Sequence, residues 1–476
     1  MANKNVILIT IDCLRADHVG CMGYDRPTTP NIDELAEDGA LFNEAFSQGS
    51  KTATSFPALL TSTYPLMFKE YKRISEPRKM ISEVLREHGY STAAIHSNPS
   101  LSSFFNYDRG FDYFEDFLVS KKKESSDGSS RLQNQFRKIR EKIMKKLEDL
   151  HFESKIFQKI RRTKVGKLLE KVLGAENVPN AEKINERFLK WVQEVKNENF
   201  FAWIHYMDIH MPLIPPKKFL RIFSDSFERL DSTGIKKKAQ KGKLSGDEFE
   251  NWMDLYDAEI RHVDSAVGEI LEELEKLDIL EETTVVITSD HGDEQLDHGG
   301  VGHVSRSLYD ELIHVPLIIW DSEIEQARVN SLVELLDAAP TILEILEIEK
   351  PIEFVGESLI PILNGAGEGR ERVISEFANS FENSEMVPPR NKKVSYRTKN
   401  WKLILDLDKE QNELYNLSSD PEEKENLYGV KEEKTNEIKS RILSHRNWEK
   451  EISEKISSKR EKHKIKNRIT KLDKDV

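Results

Sequence analysis

Five short apolar runs punctuate the chain: NVILITID over 5–12, STAAIHS over 91–97, FFAWIHYMD over 200–208, TTVVITSD over 283–290 and HVPLIIW over 314–320. They are rich in β-branched and aromatic residues and do not alternate with polar ones. That pattern predicts strands covered on both faces, as in a parallel sheet. Between them the period becomes helical. In TTPNIDELAEDG, Thr29 takes the N-cap position, Pro30 the first helical position and Gly39 the place just past the end. In EIRHVDSAVGEILEELEKL (259–277), Val263, Val267, Ile270, Leu271 and Leu274 fall on one stripe. Strands alternating with helices predict an α/β fold built on a doubly wound, mainly parallel sheet.

Two regions break the pattern. Residues 121–172 carry 17 Lys or Arg against 7 Asp or Glu. Within them FRKIREKIMKKLEDL reads as an amphipathic basic helix, with Phe136, Ile139, Ile143 and Leu147 on one stripe. Such a helix can lie on an anionic membrane surface or polyanion, or cover the catalytic domain with the same stripe, and both readings stay open. From about residue 372, VISEFA, KVSYRTKNWKLILDLD and ELYNLSSDPEEKENL predict a small antiparallel subdomain followed by charged helix. The expected organisation is a catalytic domain over 1–370 with a helical insertion near 121–190, a C-terminal α+β subdomain over 371–430, and a charged helical tail over 431–476.

Composition narrows the setting. The chain has 476 residues, 33% of them charged, and a net charge of −13; no nucleic-acid partner is expected. Two cysteines, Cys13 and Cys21, exclude a disulfide scaffold and fit a reduced, cytoplasmic compartment. No apolar window approaches the roughly 18–20 residues of a membrane-spanning helix, and no signal peptide is expected. The oligomeric state is not legible.

Candidate chemistry gathers where ligands bind open α/β sheets, at the carboxyl ends of strands. The first strand ends in Asp12. The third runs into HYMDIHMP, with Asp208 and His210. The fourth ends in SDHG, with Asp290 and His291, and His303 follows in GGVGHVSR.

The same residues carry a resemblance. NVILITIDCLRADHVGCMGYDRPTTPNIDELAEDGALFNEAFSQ is similar to the N-terminal signature of the sulfatase family in the alkaline phosphatase superfamily. ITSDHGDEQLDHGGVGHVSRSLYDELIHVPLII resembles its second metal motif, and WKLILDLDKEQNELYNLSSDPEEKENL its C-terminal hairpin. The resemblance implies an alkaline-phosphatase-like sheet with a small C-terminal subdomain. It implies Asp12, Thr52, Asp290 and His291 as metal ligands, and Thr52, 40 residues after Asp12, as the nucleophile. It also implies that His210, His303 and Arg306 contact the ester group.

The departures from the family have a direction. Sulfatases place a Cys or Ser at the Thr52 position, oxidise it to formylglycine, and hold calcium. Here Cys13 replaces a second carboxylate, His291 stands where an Asn often does, and Phe56 replaces an Arg. A mixed oxygen and nitrogen ligand set suits Zn²⁺ or Mn²⁺ better than Ca²⁺, which remains the alternative. A second metal near Asp208, His210 and His303 is also compatible with the motif. The Thr52 site resembles that of phosphoethanolamine and glycerol-phosphate transferases, which implies phosphoester chemistry. The competing expectations are a sulfuric ester hydrolase without formylglycine and an inactive metal-binding scaffold with a membrane- or polyanion-binding arm. Expected substrates are small-molecule, glycan or lipid head-group esters. Arg15 and Asp17 are expected to form a structural ion pair, and Lys51 to be exposed.

Overall fold

The computed structural model describes residues 4–68, 72–117, 179–224, 232–239, 241–303, 307–379 and 390–472. The basic segment 121–172 and Arg306 therefore lie outside the described residues. In chain order, the elements that frame the site are β1 (Asn5–Ile11), α1 (Pro30–Asp38), β2 (Ala40–Phe42), α2 (Thr52–Thr61), β3 (Ser91–His96), β4 (Tyr113–Glu115), α3 (Ala181–Val195), β5 (Phe200–Tyr206), α4 (Gly246–Lys276), β6 (Thr283–Ser289), β7 (Leu317–Trp320), β8 (Ala327–Val329) and α5 (Ala338–Ile345). A second unit holds β9 (Val373–Asn379), β10 (Arg390–Arg397), β11 (Trp401–Asp406), β12 (Glu413–Asn416) and α6 (Glu432–Leu472).

The large sheet has eight strands in the order β8-β2-β7-β6-β1-β5-β3-β4. The central strand β1 pairs in parallel with β5 and β6. Its alternate residues feed two cores. Ile7, Ile9 and Ile11 meet the apolar stripes of α1, α3 and α4. Val6 and Leu8 point to the other face, against Phe56, Leu59 and Leu60 of α2 and Ala339 and Ile342 of α5. Both faces are covered, which is why these strands read as unbroken apolar runs. The expected α/β class, mainly parallel with a separate antiparallel unit, is the one observed.

One expected parallel strand runs the other way. β7 is antiparallel to both β6 and β2. The chain leaves β6 at its carboxyl edge, and the next strand starts at that edge and runs back. An antiparallel neighbour needs no crossover helix. The range 121–190 also reaches into the core: Ala181, Ile184 and Phe188 of α3 are fully buried in it.

Helix α1 starts at Pro30 and ends before Gly39 as the pattern predicts, but its cap comes from elsewhere. The Thr29 hydroxyl accepts from Gly20 N–H and bonds Asp33, so it does not cap its own helix. Asp264 of α4 accepts instead from the Asn31 and Ile32 N–H groups, at 3.0 and 2.9 Å. Gly39 is required by close approach, since a Cβ there would sit 2.9 Å from the Ile319 carbonyl.

The four-stranded sheet β9-β10-β11-β12 is wholly antiparallel. Helix α6 packs on it through Ile438, Ile442 and Ile456. Among the described residues, no helix is long and apolar enough to cross a membrane.

Asp264→Ala leaves two helix N–H groups and the Asn31 amide without their acceptor. It is expected to cost about 1–3 kcal/mol of stability, measured by denaturant unfolding.

Candidate active site

The register of the sheet sets the site. Ile11 of β1 lies beside Tyr206 of β5 and Ser289 of β6. The chain therefore releases Asp12 and Asp290 side by side at one edge. Both carboxylates are fully buried, as is His291.

His291 is oriented by its own loop. Its Nδ1 lies 2.8 Å from the Gly292 carbonyl and must donate to it. The Nε2 lone pair then faces the cluster, 3.4 Å from Asp290 Oδ2 and 3.9 Å from Asp12 Oδ1. A backbone acceptor on the far nitrogen is the arrangement that aims an imidazole at a metal. Burial lowers the His291 pKa and keeps the ring neutral, as a ligand requires.

Thr52 is the first residue of α2, and its Oγ1 lies 3.4 Å from His291 Nε2. The loop before it is pinned by the small sheet. Glu376 N–H donates to the Gln48 carbonyl, Ser375 Oγ donates to the Ser47 carbonyl, and the Lys51 ammonium stacks on the Phe377 ring.

The electrostatics of the cluster are unbalanced. Burial pushes the Asp290 pKa well above the usual carboxylate range, and the neighbouring Asp12 charge raises it further. Burial would raise Asp12 too, but a bond from His205 and the nearby imidazoles hold it low. Asp290 Oδ2 is buried with no hydrogen-bond partner among the described residues. Ligand atoms of Asp12, Asp290 and His291 lie within 4.8 Å of one another. Two buried carboxylates, an orphaned oxygen and a neutral imidazole fit a divalent cation, which would cancel the charge and use the free lone pairs.

Three neighbours surround Asp12, of which Asn98 and His205 were not anticipated from sequence. Asn98, just past β3, donates to Asp12 Oδ2 at 3.1 Å. His205, inside β5, places Nε2 3.3 Å from the same oxygen, while its Nδ1 is 2.9 Å from Thr10 Oγ1. Cys13 donates its thiol to Asp12 Oδ1 at 2.9 Å from a left-handed backbone. The strand register, which sets His205 opposite Thr10 two residues before Asp12, was the signal available for the histidine.

His303 and His210 line the rim. The His303 ring lies 4.7 Å from that of His291 and 5.2 Å from that of His210. Its Nδ1 is 3.2 Å from Asp293 Oδ1. Asp208 does not join them. It turns away to Glu259 and His262, so the expected grouping of Asp208, His210 and His303 around a second metal is not formed. The cause is the turn after β5, where Ala181 N–H captures Asp208 Oδ1 at 3.1 Å. Arg15 is structural, as expected, but holds two carboxylates, Asp17 and Asp297, rather than one. Lys51 is half-buried rather than exposed. Phe56 is core, packed against Trp203 and His205.

Residues 4–348 match the family model described as Sulfatase. The chain belongs to the sulfatase family. Residues 300–450 also match the model described as N-sulphoglucosamine sulphohydrolase, C-terminal. Arylsulfatase K of Mus musculus is 31% identical over 220 residues, 44% of this chain and 38% of that protein, so the aligned stretch spans well under half of that relative. The uncharacterized sulfatase YidJ of Escherichia coli (strain K12) is 25% identical over 457 residues, 90% of this chain and 83% of that one. The N-acetylglucosamine-6-O-sulfatase of Bacteroides thetaiotaomicron is 31% identical over 226 residues, 45% of this chain and 40% of that one. Among solved structures, the phosphonate monoester hydrolase of Agrobacterium radiobacter superposes with a TM-score of 0.68 at 18% identity, covering 94% of this chain and 96% of that one. A structure in complex with D-glucosamine-2-N,6-O-disulfate gives 0.69 at 18%, covering 94% and 98%. At that identity the likeness carries the fold. The expected membership of the sulfatase family is met, and the chain has a residue group that fits a divalent metal.

Asp290→Asn removes one charge and leaves a poorer ligand. It is expected to lower the divalent metal retained by the purified chain, read by elemental analysis. Unchanged metal content would count against the assignment.

Proposed function

We propose that this chain is a metal-dependent ester hydrolase or transferase that uses Thr52 as its nucleophile, with phosphate esters favoured over sulfate esters. The observation that carries this reading is the Thr52 hydroxyl, 3.4 Å from His291 Nε2 in the same buried cluster as Asp290. A threonine there cannot give formylglycine, because its carbinol carbon bears a methyl group and would oxidise to a ketone rather than an aldehyde. The nucleophile is then the hydroxyl itself.

Asp12, Thr52, Asp290 and His291 would hold the cation, and their mixed oxygen and nitrogen donors favour Zn²⁺ or Mn²⁺ over Ca²⁺. When bound, such an ion supplies Lewis acidity that lowers the pKa of the nucleophile. Thr52 Oγ1 forms a bond to phosphorus as the bond to the ester alcohol breaks. The proton lost by Thr52 balances the one gained by the departing alcohol. His303 and His210, on the rim, face the non-bridging oxygens and offset their charge. Arg306 is assigned the same role. Water, or an acceptor hydroxyl, then displaces Thr52 and restores its side chain. Water makes the enzyme a hydrolase, and an acceptor makes it a transferase.

The named relatives favour one second reading, a sulfatase acting on a sulfated small molecule or glycan through the same residues. Nitrophenyl sulfate, phosphate monoester, phosphodiester and phosphonate esters separate the two. Turnover of none of them would favour the inactive scaffold.

Thr52→Ala is expected to lower kcat by at least about a thousandfold, the scale seen when a nucleophile is removed from an acting unit. Thr52→Ser should retain part of the rate. The melting temperature checks that the fold survives, and an alanine variant with near wild-type turnover would rule out the nucleophile role.

A further inference from the structure

A second group of ligand atoms lies outside the site just described. It joins Asp208, on the turn after β5, to Glu259 and His262, one turn apart on α4. The three side chains are 6%, 5% and 4% exposed. His262 Nε2 is 2.8 Å from Glu182 Oε1, in the first turn of α3. That bond keeps a proton on Nε2 and turns Nδ1 inward. Nδ1 then lies 3.5 Å from Glu259 Oε2 and 3.7 Å from Asp208 Oδ1.

Each carboxylate is itself aimed by the backbone. Ala181 N–H holds Asp208 Oδ1, and Ile214 N–H holds Glu259 Oε1 at 2.6 Å. Asp208 Oδ2 and His262 Nδ1 are buried with no hydrogen-bond partner among the described residues. The inward spacing is too long for a good hydrogen bond. It matches the roughly 3.4 Å between ligand atoms that each sit about 2.1 Å from one tetrahedral ion. A carboxylate behind the imidazole is the usual outer partner of a metal-bound histidine, and Glu182 fills that place.

Burial would lower His262, but the carboxylates of Glu259, Asp208 and Glu182 raise it to about 9, so a bound ion would displace a proton from Nδ1. The buried cluster of Glu376, His445 and Glu449 differs, because Arg446 supplies its cation directly.

We propose that Asp208, Glu259 and His262 form a second divalent-cation site, of the zinc or manganese class, with Glu182 as the outer carboxylate. The ion would tie α4 to the first turn of α3 and to the turn that carries His210. It is distinct from the Asp12–Asp290–His291 cluster and does not depend on the catalytic reading.

The test is metal stoichiometry. The full chain is stripped with a chelator, re-equilibrated with zinc or manganese chloride, and assayed by plasma mass spectrometry. Wild type, His262→Gln, Glu259→Gln and Asp290→Asn are compared, with circular dichroism as the check on folding. His262→Gln and Glu259→Gln should each hold about one ion fewer per chain than wild type. Asp290→Asn should keep the ion at this site. If both α4 variants hold as much metal as wild type, the proposal is overturned and the cluster is an imidazolium ion-pair network. If the α4 variants do not fold, a chain carrying both Asp12→Ala and Asp290→Ala decides: binding no ion overturns the proposal, and binding one ion that excess chelator removes along with thermal stability upholds it. Failure of the catalytic assignment would appear separately, as unchanged metal in Asp290→Asn.

Discussion

Two negative side chains held together away from water are the constraint on which the candidate site depends. Parallel pairing of β1 with β6 brings Asp12 and Asp290 out at the same edge, and covering layers of helix remove the solvent that would screen them. Such a pair is costly unless something positive, or a shared proton, lies between. Asn98 and Cys13 donate to Asp12 and His205 lies beside it, but Asp290 Oδ2 has no partner among the described residues. The sheet, the helix packing and the ring of donors are thus organised around one deficit of positive charge.

The framework was legible because its signal is local. Runs such as NVILITID owe their composition to burial on both faces, and acids directly after such runs mark strand ends. The direction of β7 was not legible, since an apolar run reads the same whichever way it is threaded. Thr29 had the right chemistry for a cap, but its hydroxyl is engaged elsewhere and Asp264, 233 residues beyond Asn31, replaces it.

At the candidate site, Asp12, Asp290 and His291 follow their strands immediately, so little can intervene between sequence and position. His205 was hidden because it sits within a strand, where a polar residue looks like an interruption of the core rather than a contributor to the edge. Asp208 was read with His210 because a single residue separates them. A tight turn can send such neighbours in opposite directions, and here the N-terminus of α3 captures Asp208.

The contact between the two sheets has a consequence for how divisible the molecule is. Residues of β9 hold the backbone at Ser47 and Gln48 and pack on Lys51, immediately ahead of the turn where α2 begins. The C-terminal unit is therefore not an accessory that evolution or an experimenter can exchange freely. It belongs to the scaffold of a loop more than 300 residues upstream. A fragment ending near residue 370 would keep the whole large sheet and still lack the clamp on that loop. Recombination between relatives would need to transfer both pieces together.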